Sequence, residues 1–118
     1  MTRQWLADPE LMCVPHRNAE HAETHMFVTK MLNSTSLQGY RDNSQFFGAK
    51  YLEFRHNLLT FYLPNHQTPI EITELMETKY PLVHPNYEDY SDSIITLMDR
   101  CDNCRIKMVE RLGIKWSL

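Results

Sequence analysis

The stretch His16–Leu32, HRNAEHAETHMFVTKML, decides how this chain is read. It contains no glycine or proline and follows directly on Pro15. Proline suits a first helical turn, so the segment reads as a long helix starting near Pro15 and running to Leu32. Ala19, Ala22, Met26 and Thr29 fall on one side at helical spacing, with Val28 and Leu32 adjacent, and this side is expected to face the core. His16, Glu20 and Glu23 recur at i, i+4 and i+7 and share another face. Two carboxylates and an imidazole on one stripe can polarise one another, and crowding tends to raise a carboxylate's pKa.

Working outward, Asp8-Pro9 reads as an N-cap and first helical residue, so a short helical turn through Leu11 and Met12 is expected. Residues 33–43 read as a loop. Ser44 is the expected N-cap of a second helix reaching Leu63, with Phe47, Tyr51, Phe54, Leu58 and Phe61 recurring at core spacing. Pro64 ends it. Pro69, Pro81 and Pro85 make the following segment mostly loop, with one short helix over 71–78. A third long helix is expected over 91–112, with Ile94, Leu97, Met98, Cys101, Ile106 and Val109 inward and Gly113 as its stop. The expected fold is all-α, a single domain of three main helices over residues 1–118, joined by loops longer than packing alone requires.

Composition narrows the function. With 118 residues and 42% hydrophobic content, one modest core is affordable. No apolar run approaches the ~18 residues of a membrane span, and MTRQWLADPEL lacks a secretory apolar region, so an intracellular protein without membrane contact is expected. The formal net charge of −3 gives no overall basic attraction to nucleic acid. Any DNA grip must come from a local patch. Three cysteines without a signal sequence argue against a disulfide framework.

Several groups are candidates for chemistry. Thr2 is a small second residue, so removal of Met1 is expected to leave its α-amino group at the terminus. That amine has a pKa near ~8 and is a ready nucleophile for imine formation. Cys13-x-x-His16 and Cys101-x-x-Cys104 together could form a Cys₃His zinc site. Against this, Cys101 and Cys104 fall inside the expected third helix, with Cys101 on its core side and no glycine or aromatic knuckle around them. His21 and His25, at i, i+4, could bind a metal given a third ligand, but they do not form H-E-x-x-H. The leading expectation therefore includes no metal and no cofactor. Trp5, Phe46 and Trp116 could stack on bases, while Phe47 fits the core period.

Thr2-Arg3 followed by His16, Glu20 and Glu23 resembles the pyrimidine-dimer DNA glycosylases of the endonuclease V type, with matching spacing from Thr2 to Glu23. Leu11-Met12-Cys13, Glu20-His21-Ala22-Glu23-Thr24-His25-Met26, Arg55-His56-Asn57-Leu58-Leu59 and Asn65-His66-Gln67-Thr68-Pro69 resemble a bacterial and viral branch of that family. The resemblance covers roughly residues 2–70. It implies a DNA-repair enzyme, a glycosylase with abasic-site lyase activity, acting as a monomer on double-stranded DNA that carries a lesion or an abasic site. Thr2 would be the nucleophile and Glu23 the catalytic carboxylate. Arg3, His16, Arg17, Glu20 and Lys30 would face DNA, with Lys115 and Trp116 of the tail. The phage enzymes carry arginines where this chain has Ala22 and Met26, which implies a weaker grip and a shift from dimer excision toward abasic-site cleavage. Two other classes remain open: a noncatalytic helical DNA- or protein-binding module, and a small zinc-binding structural protein.

Overall fold

The computed structural model describes residues 3–63 and 69–113. Thr2, Lys115 and Trp116 lie outside the described residues, as does the Asn65–Thr68 segment. The fold is all-α: a 3₁₀ turn at Pro9–Leu11 precedes α1 (Val14–Leu32), α2 (Gln38–Asp42), α3 (Ala49–Thr60), α4 (Glu74–Lys79), α5 (Tyr87–Arg100) and α6 (Asp102–Leu112). Among the described residues there is no strand, and no helix is long and apolar enough to cross a membrane. Asp8 caps the 3₁₀ turn through its carboxylate, and Gly113 ends α6 in the left-handed conformation, both as the sequence suggests.

Several boundaries differ from expectation. The single helix over 91–112 is two helices. Asn86 and Asp89 form a reciprocal capping box that starts α5 at Tyr87, and Cys101 breaks the run with extended backbone (φ −132°, ψ 111°). Its sulfur accepts the Cys104 amide at 3.4 Å, so Cys101 is the N-cap of α6 and not a mid-helix core residue. The expected loop 33–43 holds the short helix α2. The second long helix starts four residues later than Ser44 predicts: Ser44 sits at φ 54°, and Gly48 is the N-cap of α3.

Gly48 is fixed by a crossing of chains. Ala49 donates to the Tyr80 carbonyl at 2.9 Å and Val83 to the Phe47 carbonyl at 3.0 Å, so residues 80–83 run against the start of α3. Gly48 has φ 103°, and a Cβ there would meet the Pro81 carbonyl oxygen and lie 2.8 Å from Leu82 Cα. Gly48→Ala should therefore cost at least about 1–3 kcal/mol from backbone strain, with the clash added. Denaturant unfolding checks this, and a variant as stable as the parent would refute the tight crossing.

The buried faces of α1 and α3 are also not the ones apolar periodicity selects. On α1 the buried residues are Glu20, Thr24, Phe27 and Met31, while Ala19, Ala22, Thr29 and Leu32 are exposed. On α3 they are Ala49, Leu52, Arg55, His56, Leu59 and Thr60, leaving Phe54 and Phe61 exposed. Polar residues occupy the seam where the two helices meet, and this displaces the apolar side chains that the spacing rule places inward. On α6, Cys104 and Met108 are buried and Ile106 is exposed. Two apolar clusters flank the seam. Trp5, Met12, Cys13, Leu97, Met98, Cys104 and Met108 form one, and Phe27, Met31, Leu37, Phe46, Leu52, Ile72 and Tyr80 form the other.

Candidate functional site

The N-terminal arm is threaded through the body of the protein. Residues Arg3 to Ala7 are all buried. Gln4 donates its amide to the Gln45 carbonyl at 3.0 Å and accepts the Phe47 amide on Oε1 at 2.9 Å. The Leu6 amide reaches Ser93 Oγ at 2.9 Å. Pinned at these points, the arm presents the Arg3 amide to Glu23, whose Oε2 accepts it at 3.1 Å across 20 residues of sequence. Glu23 is half-buried on α1. Burial pushes its carboxyl above the ordinary carboxylate range, opposed by the Arg3 amide and by the charges of Arg3 and His16.

The remaining expected DNA-facing residues are distributed as follows. The Arg3 guanidinium lies over the Trp5 ring, 4.3 Å from its centroid, and its buried Nε lacks a hydrogen-bond partner. Burial lowers its pKa, with Asp92 opposing. Arg17 is half-buried; its Nε donates to the Pro9 carbonyl at 2.5 Å and its guanidinium lies over Tyr62. Lys30 lies in the last turn of α1, half-buried, far along the helix from Glu23. Trp5 and Phe46, offered as base-stacking residues, are buried core side chains.

Glu20 is 1% exposed, and its two oxygens are held by Arg55 of α3: Nε to Oε2 at 2.5 Å and Nη2 to Oε1 at 2.8 Å. Burial raises the Glu20 carboxyl while Arg55 pulls it back down. Arg55 also donates to the Ala7 carbonyl at 2.7 Å, joining α1, α3 and the arm in one contact. Glu20 thus lies beneath the surface, tied to Arg55 of α3. The role of Arg55 is not readable from local spacing; in the sequence the Arg55-His56 pair carries only the family resemblance.

His16 turns its Nδ1 to two of three clustered thiols. It lies 3.1 Å from Cys13 Sγ and 3.6 Å from Cys104 Sγ, while Cys13 and Cys101 Sγ are 3.7 Å apart. All three cysteines are free. The four donor atoms lie within 4.8 Å of one another. A tetrahedral zinc with bonds of about 2.3 Å to sulfur and about 2.0 Å to nitrogen separates its ligands by roughly 3.8 Å (S–S) and 3.5 Å (S–N), which these distances approach. Backbone amides point at two of the sulfurs, Cys13 N to Cys104 Sγ at 3.3 Å and Cys104 N to Cys101 Sγ. Such donors stabilise thiolates. The residues therefore fit a zinc ion. The objection from the sequence, that Cys101 and Cys104 lie within a continuous helix, falls with the break at Cys101.

A second group combines His21 and His25 with His56 of α3, the third ligand that the sequence could not locate. Burial lowers the His21 pKa to about 4 and also lowers that of His25, with neighbouring His56 adding to both shifts. No family model matches the chain, and searches of curated proteins and of solved structures find no match.

Proposed function

We propose that the protein is a DNA-lesion glycosylase with abasic-site lyase activity, using the α-amino group of Thr2 and the carboxylate of Glu23. The observation that supports this reading is the hydrogen bond from the Arg3 amide to Glu23. Arg3 N is three bonds from the Thr2 amine, so the covalent chain restrains that amine to the neighbourhood of the carboxylate. In the reaction, the amine lone pair attacks C1′ and the glycosidic bond breaks, its electrons leaving with the base, which takes up a proton. Opening of the sugar ring gives an imine between Thr2 and C1′. Loss of a C2′ proton then expels the 3′ phosphate by β-elimination, and water releases the aldehyde and restores the amine. On an abasic site the first bond-breaking step is already complete. Glu23 stabilises the cationic sugar and imine by charge and accepts or returns protons. Its half-buried setting strengthens that charge relative to water.

The test is borohydride trapping on DNA carrying one abasic site, with removal of Met1 verified by intact mass. The parent should form a covalent complex, and Glu23→Gln should reduce trapping by at least about 100-fold, the usual scale for a positioned acid–base group. A form retaining Met1 should trap far less. The trapping rate should fall as pH drops through the raised Glu23 pKa, because the ionised form is present only above it. This acid limb should lie above the ordinary carboxylate value of about 4.3. No covalent complex with any lesion, or full trapping by Glu23→Gln, would sink the reading.

The Cys₃His geometry favours a second reading, compatible with the first: the protein holds a structural zinc ion through Cys13, His16, Cys101 and Cys104. Four protein ligands leave no open position, so this ion would secure the fold and take no part in the sugar chemistry. It would occupy the Nδ1 of His16 that an imidazole contact to DNA would otherwise use.

A further inference from the structure

The seam between α1 and α3 contains a contact that hydrogen bonding alone cannot satisfy. The Nε2 atoms of His21, His25 and His56 form a nearly equilateral triangle: 3.2 Å from His21 to His56, 3.2 Å from His25 to His21 and 3.1 Å from His56 to His25. The tautomer of His56 follows from its neighbours. The Ile70 amide can only donate, and it donates to Asn57 Oδ1 at 2.9 Å, while Asn57 Nδ2 donates to the Ile70 carbonyl at 3.2 Å. Asn57 Oδ1 is therefore the acceptor, and His56 Nδ1, 2.9 Å away, must carry the proton it receives. A neutral His56 thus turns an unprotonated Nε2 into the triangle. A ring N–H points in one direction, so protons on His21 and His25 can serve at most two of the three edges. The remaining edge sets like groups against each other.

An ion over the triangle satisfies all three nitrogens at once. Tetrahedral bonds of about 2.0–2.1 Å to imidazole place neighbouring nitrogens roughly 3.3 Å apart, close to the observed edges. The Nδ1–H of His56 held by an amide oxygen is the outer-shell support that metal-bound histidines commonly have. His56 is fully buried whereas His25 is exposed, so the triangle opens to solvent on one side. Among the described residues no carboxylate joins the group, and an all-imidazole set selects zinc and its late transition-metal neighbours over magnesium or calcium.

We propose that His21, His25 and His56 bind one zinc-class divalent ion, with the fourth position open to water. The site is separate from the cysteine cluster: His16 and His21 are five residues apart on α1, about 7.5 Å along the axis. It also lies away from Glu23, which is two residues from His21 and from His25 and so projects from the opposite side of the helix. The bound ion ties α1 to α3 across the same seam as the Glu20–Arg55 pair, and its open position gives the protein a solvent-facing Lewis-acid centre.

The full-length chain, stripped with a chelator and titrated with Zn²⁺, tests this by metal analysis and by ¹⁵N spectra of the imidazoles. The Nε2 resonances of His21, His25 and His56 should move on adding Zn²⁺, while that of exposed His84 should not. His25→Ala, at an exposed position, should bind one ion fewer per chain, with an affinity loss at this site above the roughly 100-fold that loss of an outer-shell partner can cause. Cys104→Ser should leave the imidazole shifts intact, which separates this site from the cysteine cluster. Unmoved Nε2 resonances at saturating Zn²⁺, or equal stoichiometry and affinity in His25→Ala and the parent, would overturn the proposal.

Discussion

Glu20→Ala is expected to destabilise the fold by about 3–5 kcal/mol, the cost of breaking a buried ion pair from one side. In a chain of this length that corresponds to a fall in melting temperature of roughly 10–20 °C. The size of the effect follows from what Arg55 would face. Its side chain is 2% exposed, so removing Glu20 leaves its charge buried without a counter-charge. Of its partners, only the Ala7 carbonyl and the Met12 sulfur, at 3.3 Å, would remain. Glu20→Gln keeps one acceptor oxygen and should lose less. Replacing both partners together, Glu20→Leu with Arg55→Leu, should recover much of the stability, because no uncompensated charge is then buried. Thermal and denaturant unfolding of the two single variants and the double variant forms the cycle that measures the coupling. A Glu20→Ala protein melting within about 2 °C of the parent, well inside the shift that 1 kcal/mol produces, would show that the pair is not what holds α1 to α3.

Removing zinc from the Cys13–His16–Cys101–Cys104 cluster is the second large expected effect. Structural zinc binds with apparent free energies of about 10–16 kcal/mol in small zinc domains, and where the site forms only in the folded state this becomes folding free energy. Here the cluster joins the end of the N-terminal arm, the start of α1 and the start of α6. Lys107 donates to the Met12 carbonyl at 3.0 Å and Arg111 pairs with Glu10 at 2.7 Å beside it. The second of these is an exposed pair that contributes little, so the connection depends mainly on the buried sulfurs and the apolar cluster around them. Chelation or Cys104→Ser should lower the melting temperature by more than about 10 °C, and readdition of Zn²⁺ should restore the parent but not the variant. Loosening this end of α1 should also reduce borohydride trapping, since the arm that meets Glu23 is fastened there. A metal-free protein as stable as the zinc-loaded one would eliminate the structural zinc.

Local sequence determined the helical class and some of the helix ends. Asp8-Pro9, the glycine- and proline-free run to Leu32, and Gly113 act through nearest neighbours, by capping, fixed φ or left-handed backbone, so their effects are visible without the fold. The same holds for the histidine and glutamate stripe on α1, because i and i+4 positions share a face in any helix. Tertiary structure decided which face is buried. Apolar spacing points to Ala19, Ala22 and Met26 on α1 and to Phe54 and Phe61 on α3. The seam instead buries Glu20 with Arg55 and sets His21 and the exposed His25 against buried His56; a buried charge needs a partner, and here the partner comes from another element. The break at Cys101 is similar: the segment has helical periodicity, and its extended backbone at one residue coincides with sulfur contacts to a segment 88 residues away. The long α1 helix is therefore fixed by its own sequence. What it does is fixed by Arg3, Cys101, Cys104, Arg55 and His56, which reach it only through the fold.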